Sequence, residues 1–351
     1  MKNDAFDKTG RFLTALLRLL PPETAHQIGI KAMEHGLLKI MPRPRPYSMP
    51  VPLHVTLPGI GRLRHPVGLA AGFDKNASCP GAFEWLGCSF LEIGTVTPKP
   101  QPGNPKPRLF RYPETMSMIN RMGFNSDGAE AVIKRLQKIN WSPSRIPLGI
   151  NVGKNKNTPP DRAIDDFAAC INAFSEFASW LTINISSPNT PGLRDLATVE
   201  FIRDLAQAIG TLRSKCWIKL DPDMNRTTFQ TLIATISEEG FQGVVLSNTH
   251  RVEWPQSGGQ SGHPLLSQSN QCLEWAWTVT NGKLPMIATG GVISGIDAFQ
   301  KLIRGASAVQ IYTALVYRGP GAVQRICEEL SEELKLRGFS SAEDCIGSLY
   351  Q

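Results

Sequence analysis

Eight short apolar runs, each ending in a polar or glycine-rich tip and each followed by a helical pattern, recur from about residue 53 onward. They cover 67–71, 90–95, 147–151, 181–185, 217–220, 243–247, 285–288 and 308–312. Near-continuous apolar runs suit strands buried on both faces, as in a parallel sheet covered by helices. Helical periodicity falls between them at 80–86, 128–138, 161–178, 197–213, 227–238, 268–280, 296–304 and 321–337. Alternation of this kind over ~250 residues predicts an α/β fold, a (β/α)8 TIM barrel. A doubly wound open sheet satisfies the same alternation and stays as the alternative. The stretch 96–127, rich in Pro, Gly and Arg, reads as an insertion after the second strand.

Residues 1–45 follow another pattern. Phe6, Phe12, Leu13, Leu16, Leu17 and Leu20 recur at helical spacing, Pro21 and Pro22 interrupt, and Ala25, Ile28, Ala32, Met33, Leu37 and Leu38 mark a second amphipathic helix. Arg11, Arg18, Lys31 and Lys39 lie beside these stripes. Two such helices suit a membrane surface, and they equally suit a cap packed on the main domain. The proline-rich segment 41–52 closes the unit. The expected division is therefore 1–45 for the helical unit, 46–53 for a linker and 54–351 for the barrel. No run approaches the ~20 apolar residues of a membrane span, and the charged start of the chain does not read as a signal peptide.

Charge and cysteine usage narrow the function classes. The formal net charge of +7 favours anionic partners such as a phosphate cofactor, a carboxylate substrate or an acidic membrane. Nucleic acid is the weaker reading, because the basic residues are scattered. Seven cysteines without a C-x-x-C pair argue against a disulfide framework or a zinc site. The six histidines show no paired ligand spacing, so no metal is expected. No G-x-S-x-G element supports a nucleophilic triad.

Barrel chemistry gathers at the carboxyl ends of the strands, so the tips form one list. The first, AAGFDKN, offers Ala70, Ala71 and Gly72 for close approach of a flat ligand and Lys75 for an anion. The second carries Gly94 and Thr95, followed later by INRMGFN with Asn120; the third carries Asn151. The fourth is WLTINISSPNTPGLR, residues 180–194, where Pro188, Pro191 and Gly192 shape a turn crowded with Asn184, Ser186, Ser187 and Asn189. Taken alone it is also an ordinary strand-to-helix loop. The fifth tip is Lys219 and the sixth Ser247-Asn248-Thr249; Gly290, Gly291, Tyr312 and Thr313 close the list and suit a phosphate. Five asparagines, 120, 151, 184, 189 and 248, can read both edges of a planar heterocycle.

The ordered motifs AAGFDKN, EIGTVTPKPQPGNPKPRLFR, MINRMGFNSDG, LGINVGKNKNTP, TINISSPNTPGLRDL, SGGQSGHPLL and ASAVQIYTALVYRGP resemble the dihydroorotate dehydrogenases of class 2, the membrane-associated, quinone-reducing type. The resemblance runs from about residue 54 to the end. It implies FMN held by Ala70, Ala71, Gly72, Thr95, Asn151, Asn184, Lys219 and Ser247, with its phosphate at Gly262, Gly290, Gly291, Tyr312 and Thr313. It implies dihydroorotate bound by Lys75, Asn120, Asn184, Asn189, Asn248 and Thr249, with backbone help from Arg121, Met122, Gly123 and Phe124. Ser187 matches the family's catalytic base, which takes a proton from C5 while a hydride leaves C6 for flavin N5. Serine where class 1 relatives carry cysteine argues for class 2. His26 and Arg111 match positions beside a quinone tunnel formed by the N-terminal helices. The resemblance implies oxidation of dihydroorotate to orotate in pyrimidine biosynthesis, with no nucleic-acid partner, by a peripheral protein on the cytoplasmic face of a bacterial inner membrane.

Some positions depart from the family pattern. Asp221 stands where relatives carry a small residue, and on a strand it shares a side with Lys219, so the two are expected to pair and weaken the positive field at the flavin. A harmless carboxylate at the barrel rim is the other reading. The loop THRVEWPQS is short, and His250, Gln260 and His263 are unusual there. These departures leave two further possibilities: an FMN oxidoreductase of the same fold acting on another planar cyclic substrate, or a catalytically silent flavoprotein at the membrane.

Overall fold

Eight parallel strands close into a barrel in the computed structural model, which describes residues 5–40, 49–142, 146–190 and 192–351. They are β1 (Val67–Leu69), β2 (Leu91–Val96), β3 (Leu148–Val152), β4 (Trp180–Asn184), β5 (Cys216–Lys219), β6 (Gly243–Leu246), β7 (Met286–Thr289) and β8 (Ala308–Ile311). Each pairs with its neighbours in sequence, and β8 returns to β1, so the open-sheet alternative is removed. The expected strands agree with these bounds to within two residues.

Alternation along the strands grades the barrel interior from apolar to polar. Trp180 and Trp217 enter at its amino end, Trp180 pressed against Gly149 of the preceding strand and Trp217 against Gly243 of the following one. A methyl group at either glycine would lie within about 2.5 Å of the indole, so only glycine admits these rings. Two residues farther along the same faces come Asn151, Thr182 and Lys219, and then Asn184. The floor is thus sealed by aromatic packing, and polar groups collect where the strands end.

The outer helices bury one stripe each. Val199–Ile209 buries Phe201, Ile202, Leu205, Ala206 and Ile209, and its start is capped by Thr198, which accepts from the Phe201 amide at 3.1 Å. Asn225 caps Arg226–Glu238 in the same way, accepting from the Thr228 amide at 2.9 Å. A short helix, Thr313–Arg318, follows β8 directly and was not part of the expected pattern.

Two excursions from the barrel meet in a second sheet that periodicity did not predict. Leu109–Tyr112 and Ser117–Asn120, from the insertion after β2, pair with Gly258–Gly262 and His250–Val252 from the loop after β6. The short loop at 250–257 is therefore a hairpin paired across the mouth of the barrel.

The N-terminal unit comprises α1 (Ala5–Arg18), α2 (Pro22–Glu34) and a 3-10 turn at Leu37–Ile40. α1 packs on the barrel through the buried Phe6 and Thr14, yet its Phe12 and Leu16 point outward, as does Leu19 just past its end, 82% exposed. The cap reading and the outward apolar face thus coexist in one helix. α2 is tied down by Glu23, which accepts from Arg108 at 2.9 Å. No described helix is long and apolar enough to cross a membrane. Residues 1–4 and 41–48, including the first three residues of the expected linker, lie outside the described residues, as does Pro191. Val51 and Leu53, at the linker's end, are buried, and both backbone groups of Val51 bond the Ser331 hydroxyl.

Candidate active site

The carboxyl ends of the strands surround an open cavity of about 1090 Å³, counting the solvent at its mouth. It gathers Ala70, Ala71, Gly72, Lys75, Thr95, Asn120, Met122, Gly123, Phe124, Asn184, Ser187, Asn189, Lys219, Ser247, Asn248, Thr249, Gly262, Gly290, Gly291, Tyr312 and Thr313. All of these were named from the sequence, although they span more than two hundred positions.

A directed chain of hydrogen bonds underlies this wall. Glu92, fully buried in β2, accepts from Asn151 Nδ2 at 2.7 Å and, on its other oxygen, from Gln310 Nε2. Asn151 Oδ1 then accepts from Thr95 Oγ1 at 2.6 Å and from Asn184 Nδ2 at 3.1 Å. Asn184 Oδ1 accepts from the Ser186 hydroxyl at 3.0 Å, and that hydroxyl accepts from Asn248 Nδ2 at 2.9 Å. Asn248 Oδ1 takes the Thr249 amide at 2.8 Å. A carboxylate that accepts on both oxygens thus sets which end of each amide faces which way. Ser186 thus joins two asparagine side chains.

Two polar groups are left open to the cavity. Lys219 is 6% exposed and makes no hydrogen bond to any described residue; burial lowers its pKa, and Glu92 is the opposing charge. Gln310 Oε1 is buried without a partner among the described residues, on a side chain lining the same cavity. Buried polar atoms are rarely left unpaired, so both point to a bound group.

Lys75, half-buried, donates to Asn125 Oδ1 at 2.5 Å. Burial and the nearby Arg108 cation push its pKa down to about 7, against Glu23. Ser187 Oγ accepts from the Asn189 amide at 3.3 Å, and Asn189 Nδ2 donates to Asn120 Oδ1 at 3.2 Å. Neither imidazole nor carboxylate is among the described partners of Ser187. At the opposite end, Gly290 and Gly291 take φ of +96° and +84°, and a Cβ on Gly291 would lie 2.4 Å from Leu266 Cα. Ser261 and Thr313 share a hydrogen bond of 2.9 Å beside them. This is a narrow turn of backbone amides and hydroxyls, suited to phosphate oxygens.

Comparison with known proteins agrees with this geometry. The family model described as dihydroorotate dehydrogenase matches residues 52–334. This chain belongs to the dihydroorotate dehydrogenase family. A relative from Acidithiobacillus ferrooxidans, named dihydroorotate dehydrogenase (quinone), is 42% identical over 91% of this chain and 93% of its own length. One of the same name from Parvibaculum lavamentivorans is 40% identical over 95% and 96%. Among solved structures, DHODH from Eimeria tenella in complex with ferulenol has a TM-score of 0.87 at 34% identity, covering 94% of this chain and 96% of that one.

Four residues named from the sequence are not on the cavity wall of this dihydroorotate dehydrogenase family member. Asn151 lies beneath it, acting through Thr95 and Asn184. The Arg121 side chain turns away, donating to the Pro107 carbonyl at 3.1 Å and lying over the Phe110 ring. Arg111 donates to the Leu20 carbonyl between the helices. His26 packs edge-on against Phe73 at 5.1 Å, and Phe73 meets Tyr312 at 5.1 Å, which gives an aromatic path from α2 to the cavity. Burial and the Lys75 cation push His26 down to about 4.

The expected pairing of Asp221 with Lys219 is wrong. Asp221 Oδ2 lies 2.8 Å from Arg194 Nε, and its other oxygen accepts from the Asp223 amide at 2.8 Å. β5 ends at Lys219, so the alternation that would put both on one side no longer holds two residues later. At 6% exposure Asp221 is not a solvent-linked rim residue either. Burial pushes its carboxyl up to about 6, against the pull of Arg194.

The sequence reading missed Leu109, Met118, Ser261, Leu265, Val292 and Gln310 on the wall, and Glu92 below it. For Glu92 and Gln310 a signal existed: a charged or amide residue inside an otherwise apolar buried run. Leu109, Met118, Ser261 and Leu265 come from the antiparallel sheet and the turn that follows it, and Val292 from the loop after β7, none of which carries a periodic signature of the site.

Proposed function

We propose that this enzyme oxidises dihydroorotate to orotate with FMN as the bound cofactor and a membrane quinone as the final acceptor, in pyrimidine biosynthesis. The observation that carries the reading is one cavity holding an unpartnered buried lysine, a glycine turn for phosphate, a ring of asparagines and Ser187. The residues fit the cofactor: the Lys219 cation and Gln310 Oε1 lack hydrogen-bond partners among the described residues, and side chains at Gly290 and Gly291 would close the turn. FMN would be held by Ala70 to Gly72, Thr95, Asn184, Lys219 and Ser247, with Asn151 beneath, and its phosphate by Gly262, Gly290, Gly291, Tyr312 and Thr313. When bound, it supplies a two-electron acceptor that no side chain here can replace.

The protein's own groups do the rest. Lys75 meets the substrate carboxylate, while Asn120, Asn184, Asn189, Asn248 and Thr249 orient the ring, aided by the backbone of residues 121–124. Ser187 takes the C5 proton. A hydroxyl is a weak base at its ordinary pKa, so its contribution depends on being held close and dry. With Asp221 engaged by Arg194, one of the two reasons for proposing a different cyclic substrate falls away.

The helical unit 1–45 is assigned to the membrane surface and to quinone entry past His26 and Arg111, on the cytoplasmic face of a bacterial inner membrane. The exposed Phe12, Leu16 and Leu19 support this, as does the path His26, Phe73, Tyr312. The test is anaerobic: dihydroorotate bleaches the bound flavin, and a soluble quinone restores its colour. A flavin left oxidised by dihydroorotate but reduced by another pyrimidine overturns the assignment.

A further inference from the structure

Arg194, in the 3-10 turn Arg194–Leu196 after β4, fastens three strand tips at once. Its Nε donates to the Ser186 carbonyl at 3.1 Å, on the peptide that leads into Ser187. One terminal nitrogen donates to the Thr249 carbonyl at 3.2 Å, at the tip of β6. The other donates to Asp223 Oδ2 at 2.9 Å, beyond β5, where Asp221 also lies 2.8 Å from Nε. Asp223 is itself held by the Arg251 amide at 2.8 Å, by Gln268 Nε2 at 3.0 Å and by His250 Nδ1.

We propose that Arg194 is the positioning residue for Ser187, with Asp221 and Asp223 as its fixed counter-charges. It works through the Ser186 carbonyl and the Thr249 carbonyl rather than by touching substrate. The planar guanidinium offers several donors in a rigid fork, which a lysine ammonium cannot reproduce. A serine base tolerates little displacement: a shift of about 1 Å in a reacting group costs on the order of 100-fold in rate. The unusual residues Asp221 and His250 gain a shared purpose, since both end on this one clamp. The inference rests on Ser187 acting as the base.

The experiment uses the flavin-loaded enzyme with Arg194→Met, Arg194→Lys and Asp221→Ala. Deuterium exchange of backbone amides, read without any substrate, should quicken at 184–190 and 248–252 in Arg194→Met and stay at wild-type rates elsewhere. Stopped-flow reduction of the flavin by dihydroorotate should slow about 100-fold in Arg194→Met, with a larger isotope effect for substrate deuterated at C5. Orotate affinity should change by less than about threefold, because the groups touching the ring remain. Arg194→Lys should recover part of the rate, and Asp221→Ala should fall between wild type and Arg194→Met; these two carry the test if the methionine variant does not fold. Wild-type exchange together with a wild-type C5 isotope effect in the variants overturns the proposal. Failure of dihydroorotate to reduce wild-type flavin overturns the functional reading instead, and the exchange result then decides the clamp alone.

Discussion

Lys219 and Lys301 are both buried cations, and they end differently. Lys301, fully buried on the helix Gly295–Leu302, donates to the Ser269 hydroxyl, which donates in turn to the Leu266 and Gly290 carbonyls at 3.0 and 2.9 Å. Lys219 faces the cavity with no hydrogen-bond partner among the described residues. Burial lowers the pKa of both, that of Lys301 to about 7. The difference teaches where to look for function: a buried charge satisfied inside the protein belongs to the fold, while one left open belongs to a ligand.

Replacements at the site and behind it should separate these roles. Ser187→Ala sets the scale, with flavin reduction by dihydroorotate falling 10²–10⁴-fold while bound flavin is retained. Lys219→Met should cost about 10²–10³-fold in turnover or flavin retention, without lowering the melting temperature of the flavin-free protein, since an unpaired buried charge is replaced by an apolar chain of similar volume. A fall in that melting temperature would break the comparison.

Lys75 sharpens it from the substrate side. Its pKa of about 7 means the empty site is losing the cation as pH rises past neutrality. Orotate binding must then restore a proton, so affinity should weaken toward tenfold per pH unit between pH 7.5 and 9, followed by the flavin absorbance change on titration. A flat profile would mean Lys75 does not meet the carboxylate.

Lys301→Met should have the smallest effect on turnover, within about threefold, because Ser269 keeps both of its carbonyl partners. Its signature lies in stability. The folded-state pKa lies below the unfolded value, so between about pH 7 and 10 the unfolded chain binds more protons and wild-type stability gains from rising pH. The variant should lack this gain, at most ~1.4 kcal/mol per pH unit, in urea unfolding at pH 7 and 9. A large loss of turnover would place Lys301 with Lys219 after all.

Most of the site was legible because strand tips are local objects. A run such as LTINISSPN shows its buried stem and polar end in consecutive residues, so Ser187, Asn184 and Asn189 stood out before any fold was known. The helix positions were legible for the same reason. Asp221 was misread because strand alternation was extended two residues past the end of β5, where the backbone turns. Glu92 and Gln310 were overlooked because their importance lies in a contact between residues 218 apart in sequence.

The sequence alone determined that eight buried strands alternate with helices, and that reactive groups lie where those strands end. Periodicity of 2 and 3.6 residues is enough for that, being written into neighbouring positions. Only closure of the barrel decided which lysine was left without a partner, which carboxylate Arg194 would grip, and that residues 109–120 and 250–262 form one sheet. Those outcomes depend on distances between segments far apart in the chain, which a one-dimensional pattern does not contain.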